Sequence, residues 1–170
     1  MINLRLFFSI AVLFATPLPA QTIQRDSLLD RLAGHWVLRG AMAGKQVVHD
    51  VTFTWVLGGE YLEMHEVSRD RTPAGKLTYE AIAYLVHDPH SSEYGVLWLD
   101  NTDYNAFLPG GQGHGIAAGD SIPFLFTESP TSHVHNTFVF DRKTRTWAWH
   151  IDNDDEKGRR PFARVTLSRR

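Results

Sequence analysis

From Trp36 to Ser168 the chain is a succession of short runs rich in Val, Ile, Thr, Tyr, Phe and Trp, separated by clusters of turn-forming residues. The breaks include Gly58-Gly59, Thr72-Pro73-Ala74-Gly75, Asp88-Pro89-His90-Ser91-Ser92 and Asn153-Asp154-Asp155-Glu156-Lys157-Gly158. Strands spaced so closely leave no room for crossover helices, so neighbouring runs are expected to pair as antiparallel hairpins. The predicted strands are 36–39, 46–56, 60–69, 76–86, 94–100, 104–108, 124–128, 134–140, 146–152 and 163–168. A sheet of about ten strands loses its reactive edges by closing on itself. The expected fold is therefore all-β, an antiparallel up-and-down β-barrel, with a two-sheet sandwich as the alternative.

Only one stretch has a helical period. Residues 25–32, RDSLLDRL, place Leu28, Leu29 and Leu32 on one face, with Asp26 or Ser27 to cap the start and Gly34 to end it. Ahead of it, residues 1–20 combine Arg5, an apolar run from Leu6 to Ala15 and a Pro17-Leu18-Pro19-Ala20 close. That is the pattern of a secretory signal peptide cleaved after Ala20, and its apolar run is too short for a membrane-spanning helix. An exported chain, periplasmic or secreted, is expected, with residues 21–170 forming one domain. The chain has no cysteine, which leaves no disulfide framework and no thiolate chemistry. Its net charge of −2, becoming −3 once Arg5 is removed, gives no basic stripe for nucleic acid.

Four ordered stretches carry a resemblance. They are Leu32-Ala33-Gly34-His35-Trp36, Leu57-Gly58-Gly59-Glu60-Tyr61-Leu62, Tyr79-Glu80-Ala81-Ile82-Ala83-Tyr84 and Tyr94-Gly95-Val96-Leu97-Trp98-Leu99-Asp100. The first resembles the Gly-x-Trp start of the first strand in lipocalin-like (calycin) barrels. Together they resemble a bacterial family of exported calycin-like domains of unknown function, distantly similar to nitrobindin-type haem-binding barrels. The resemblance implies a helical turn closing one barrel end, and a basic side chain of the last strand, Arg164 or Arg169, lying over Trp36. It also implies, as one alternative, a haem held by a late-strand histidine, His135 or His150.

Candidate chemistry concentrates in two places. In TFTWVLGGEYLEMHEV (52–67), alternation puts Tyr61, Glu63 and His65 on one side of a strand and Leu62, Met64 and Glu66 on the other. In the hairpin formed by 134–140 and 146–152, matching apolar faces sets Phe138 and Phe140 beside Trp147 and Trp149. The same register puts His133 and His135 on the face of His150 and Asp152, enough imidazoles for a zinc site, although the patterning favours that face as the hairpin's solvated side with the Phe/Trp side as core. A barrel has two faces, and one lines the lumen. If that face is polar, Glu63, His65, Glu80, Trp98, Asp100, His135 and His150 border a polar pocket; if aromatic, Phe138, Phe140, Trp147 and Trp149 border an apolar one.

The glycine-rich stretch Gly110-Gly111-Gln112-Gly113-His114-Gly115 precedes no helix, so a loop at the barrel mouth is expected rather than a phosphate cradle. No Gly-x-Ser-x-Gly elbow marks a serine nucleophile. The leading expectation is an aromatic-rich barrel binding a small, mostly apolar molecule without covalent chemistry, through residues such as Tyr61, Glu63, His65, Trp98, Phe138, Trp147 and Trp149. The alternatives are a zinc or haem protein using His133, His135 and His150, and a partner-binding domain with no pocket.

Overall fold

The Asp26 carboxylate accepts hydrogen bonds from the backbone N–H groups of Leu28 and Leu29, at 3.0 and 2.8 Å. It thereby satisfies two of the donors that any helix start leaves open, and fixes α1 (Ser27–Leu32). The computed structural model describes residues 25–102 and 109–170, so the 1–20 segment and the predicted 104–108 strand lie outside the described residues. After α1 come β1 (Gly34–Met42), β2 (Lys45–Val56), β3 (Tyr61–Ser68), β4 (Glu80–Asp88) and β5 (Glu93–Asp100). They are followed by β6 (Gln112–Ile116), β7 (Ser121–Ser129), β8 (Ser132–Asp141), β9 (Thr146–Asp155) and β10 (Gly158–Arg169).

Each strand pairs antiparallel with its neighbours in sequence, and β1 pairs with β10, with Trp36 opposite Arg169, so the sheet is a closed barrel. The all-β up-and-down expectation holds. Gly58 and Gly59, at φ 74° and 99°, let a single tight turn join β2 to β3.

Two departures from the predicted strands have clear causes. The glycine-rich segment is not a loop at the mouth: residues 112–116 form β6, a type of strand that glycine ordinarily weakens. A Cβ on Gly113 would lie 2.7 Å from the Phe126 ring, and one on Gly115 would lie 1.6 Å from the Pro123 carbonyl oxygen. The glycines are thus what lets β6 sit against β7. Strand β10 begins at Gly158, ahead of the predicted 163, because Arg159 and Arg160 bind aspartates of β9 instead of ending a strand in solvent.

Alternation then assigns the faces. Trp36 and Leu38 of β1, Val51 and Phe53 of β2, and Leu62 and Met64 of β3 are buried inside. On the hairpin β8–β9, Phe138 pairs with Trp149 and Phe140 with Trp147, as the patterning predicted. Phe138 stacks on Trp149 (centroids 4.6 Å apart) and meets Trp147 and Phe53 edge-on. These rings cross the lumen and divide it.

Below the aromatic layer the barrel is plugged. Leu28, Leu29 and Leu32 of α1 enter its end, and the Trp36 indole N–H donates to the Leu32 carbonyl at 2.6 Å. The Arg169 guanidinium lies 4.1 Å from the Trp36 ring centroid, which chooses Arg169 over Arg164 for the expected cation–π contact. Its Nη1 also donates to the Ala33 carbonyl, holding the chain after the helix.

Candidate functional site

Above the aromatic layer the lumen opens into a cavity of about 540 Å³. Its floor and apolar wall come from Val47 (β2), Trp98 (β5), Phe126 (β7), Trp149 and Ile151 (β9). Trp98 and Trp149 meet at an interplanar angle of 54°, with centroids 5.8 Å apart. The Trp149 indole N–H donates to the Asn136 side-chain oxygen Oδ1 at 2.5 Å, which fixes this ring in the cavity lining. Trp98 donates to Asp100 at 3.2 Å, and Asp100 accepts in turn from the Thr102 N–H and hydroxyl.

One side of this cavity is polar and buried. His49 (β2) and Glu66 (β3) are 3% and 0% exposed, and His49 Nδ1 is 2.5 Å from Glu66 Oε1. The imidazole also stacks on Tyr79, with centroids 5.6 Å apart. Tyr79 is positioned by a reciprocal pair of bonds: its N–H donates to Ser68 Oγ at 3.0 Å, and the Ser68 N–H donates to its carbonyl at 2.9 Å. Burial pushes the Glu66 carboxyl above the ordinary glutamate range, against the opposing pull of the His49 hydrogen bond. Burial, with the Glu66 and Asp100 charges, raises the Tyr79 phenol as well, so it stays protonated. The other carboxylate oxygen, Glu66 Oε2, is buried and has no hydrogen-bond partner.

The residues expected from sequence divide cleanly. Trp98 and Trp149 line the cavity, while Phe138 and Trp147 belong to the packed layer and plug beneath it. Tyr61, Glu63 and His65 are on the outer face: His65 Nε2 lies 2.9 Å from Glu80 Oε1, and Glu63 is hydrogen-bonded to the Tyr84 phenol, which it raises. They cannot contribute to a lumenal pocket, because alternation turns Leu62, Met64 and Glu66 inward in their place.

The late-hairpin histidines are also outside. His133 is 3.3 Å from Thr127 Oγ1, His135 is 3.3 Å from Asp154 Oδ2, and His150 sits in register between Thr137 and Arg164. Their neighbour Asp152 is already bound by Arg159 and Arg164. Among the described residues no group of three or more His, Cys, Asp or Glu side chains is arranged to hold a metal. A haem in the lumen does not fit His135 or His150 as its ligand either, since both rings lie on the far side of the barrel wall. The imidazole that lines the cavity is His49, engaged by Glu66 and Tyr79.

Sequence reasoning missed the His49–Glu66 pair, although its signal was present. His49 interrupts the apolar alternation Val47, Val51, Phe53, and Glu66 continues the series Leu62, Met64. A polar residue on each of two adjacent apolar faces marks a pair that must satisfy itself inside.

No family model matches the chain, and no curated protein is similar to it at a significant level. Among solved structures, one similar chain is a redesigned β-barrel, at 10% identity, covering 84% of this chain and 95% of that one with a TM-score of 0.40. Among the described residues no helix is long and apolar enough to cross a membrane.

Proposed function

We propose that this chain is an exported, calycin-like barrel that holds a small, mostly apolar molecule in the open half of its lumen, without covalent chemistry. The observation that carries the reading is the cavity itself: about 540 Å³, floored by Trp149 and walled by Trp98, Val47, Phe126 and Ile151. That volume is within the range of small-molecule sites, and its apolar walls with a few convergent polar groups are what such sites share. Trp36 beneath Arg169, with a helix closing the same end, supports the calycin-like assignment.

Titration of the purified protein with the neutral apolar dye Nile red, followed by dye and tryptophan fluorescence, is expected to saturate at one site per chain. Native mass spectrometry is expected to find a co-purified small molecule or a single bound dye. A barrel that carries nothing and binds no dye overturns the reading. For export, the full sequence expressed in a bacterial host should yield a periplasmic product beginning at Gln21; a cytoplasmic product retaining Met1 would overturn that part alone.

A further inference from the structure

An apolar box has no use for a buried acid, yet Glu66 is wholly buried in the cavity wall with one carboxylate oxygen unbonded. A buried acceptor left without a partner is costly, more so when charged, so a partner for it would add directly to binding. His49 cannot supply a second bond. Its Nδ1 is committed to Oε1 and its ring is fixed against Tyr79.

The surrounding charge says what kind of partner suits the site. Among the described residues Glu66, Asp70, Asp100 and Glu128 line the cavity, against Lys45 at the rim and the His49 imidazole, which is already bonded to Glu66. A ligand carboxylate would meet like charge there. A hydroxyl could donate to Oε2 but would add an acceptor and no charge. An ammonium offers three donors and no acceptor, and the neighbouring Tyr79, Trp98 and Trp149 rings supply faces that attract a cation.

We propose that the lumen selects an apolar molecule bearing a protonated amine, with the Glu66 carboxylate turning out of the cavity wall so that Oε2 accepts from the ammonium, and the Trp98 and Trp149 rings packing on its apolar body. The inference rests on the cavity being a ligand site.

The test is a matched series titrated into the purified full barrel at pH 7 by calorimetry: 4-phenylbutylamine, 4-phenylbutanol and 4-phenylbutyrate. The amine is expected to bind at least about tenfold tighter than the alcohol, and the carboxylate weakest. In Glu66→Gln the amine should fall to the affinity of the alcohol, whose own binding is little changed. Equal affinities of amine and alcohol, a preference for the carboxylate, or an amine preference that survives in Glu66→Gln would each overturn the proposal. If the variant does not fold, the wild-type comparison of amine with alcohol decides. Saturable binding of Nile red or the alcohol without amine preference sinks this inference and leaves the apolar-ligand reading standing; binding of none of the probes sinks both.

Discussion

The two ends of this barrel are built from the same ten strands with the same alternation, and they solve opposite problems. At the closed end the buried inward groups are bulky and apolar, among them Trp36, Phe53, Leu62, Leu85, Ile122, Phe138, Trp147 and Leu167, and polar groups find partners: the Trp36 N–H meets the Leu32 carbonyl, and the Arg169 guanidinium meets the Trp36 face and the Ala33 carbonyl. At the open end the inward positions turn polar or small along several strands at once, through His49, Glu66, Asp100 and Asn136, and one acceptor is left unmatched. The layer of Phe53, Phe138, Trp149 and Trp98 separates the two. Fold stability therefore resides below that layer and capacity for a ligand above it.

The comparison breaks if damage below the layer is mild. Trp36→Ala removes a fully buried indole, its hydrogen bond and the seat of Arg169, and should cost about 3–5 kcal/mol in denaturant unfolding. A loss near 1 kcal/mol would mean that the helical plug contributes little. Above the layer, Val134→Trp fills the cavity from a half-buried wall position. It should weaken Nile red binding at least about tenfold, or ~1.4 kcal/mol, while moving the unfolding midpoint far less than Trp36→Ala. Smaller again is Asp26→Ala, which strips the cap from a six-residue helix and should cost about 1 kcal/mol, with dye binding unchanged.

Much of this division was legible in the sequence, and the exceptions have physical reasons. The strand series, the capped helix, the Gly58-Gly59 turn and the Phe138/Trp149 register follow from local chemistry: turn residues, capping and the period of two. Facing does not. Tyr61, Glu63 and His65 form as coherent a stripe as Leu62, Met64 and Glu66, and closure of the barrel alone decides which is inside. Trp98 and Asp100 illustrate the same limit from the other side, since they share the inner face with Ala81 and Ala83 rather than with Glu63 and His65. Strand β6 escaped notice because its glycines answer to Phe126 and Pro123, residues that only the folded sheet brings near.

The smallest expected effect concerns a single proton, and it sets the inner face of the open end against the outer face of the same wall. Asp152 is pushed up by burial, but its bonds to Arg164 and Arg159 outweigh this and hold it below the ordinary aspartate range. Its contribution is present above that range and lost as pH falls through the folded value. Glu66 has the opposite sign: burial holds its folded pKa above the unfolded 4.5. The stability it permits is complete below 4.5 and is lost as pH rises through the folded value, with a slope of at most about 1.4 kcal/mol per pH unit for one group. Unfolding free energies measured from acid to neutral pH for the wild type and Glu66→Gln should therefore diverge as pH rises, the variant gaining relative to the wild type. Parallel curves would show that Glu66 ionises inside the barrel as readily as in water, and that the open end is no more demanding than the outer surface. Saturating phenylbutylamine should close the gap in the wild type, because an ammonium on Oε2 lowers the cost of the buried charge, whereas phenylbutanol should leave it open.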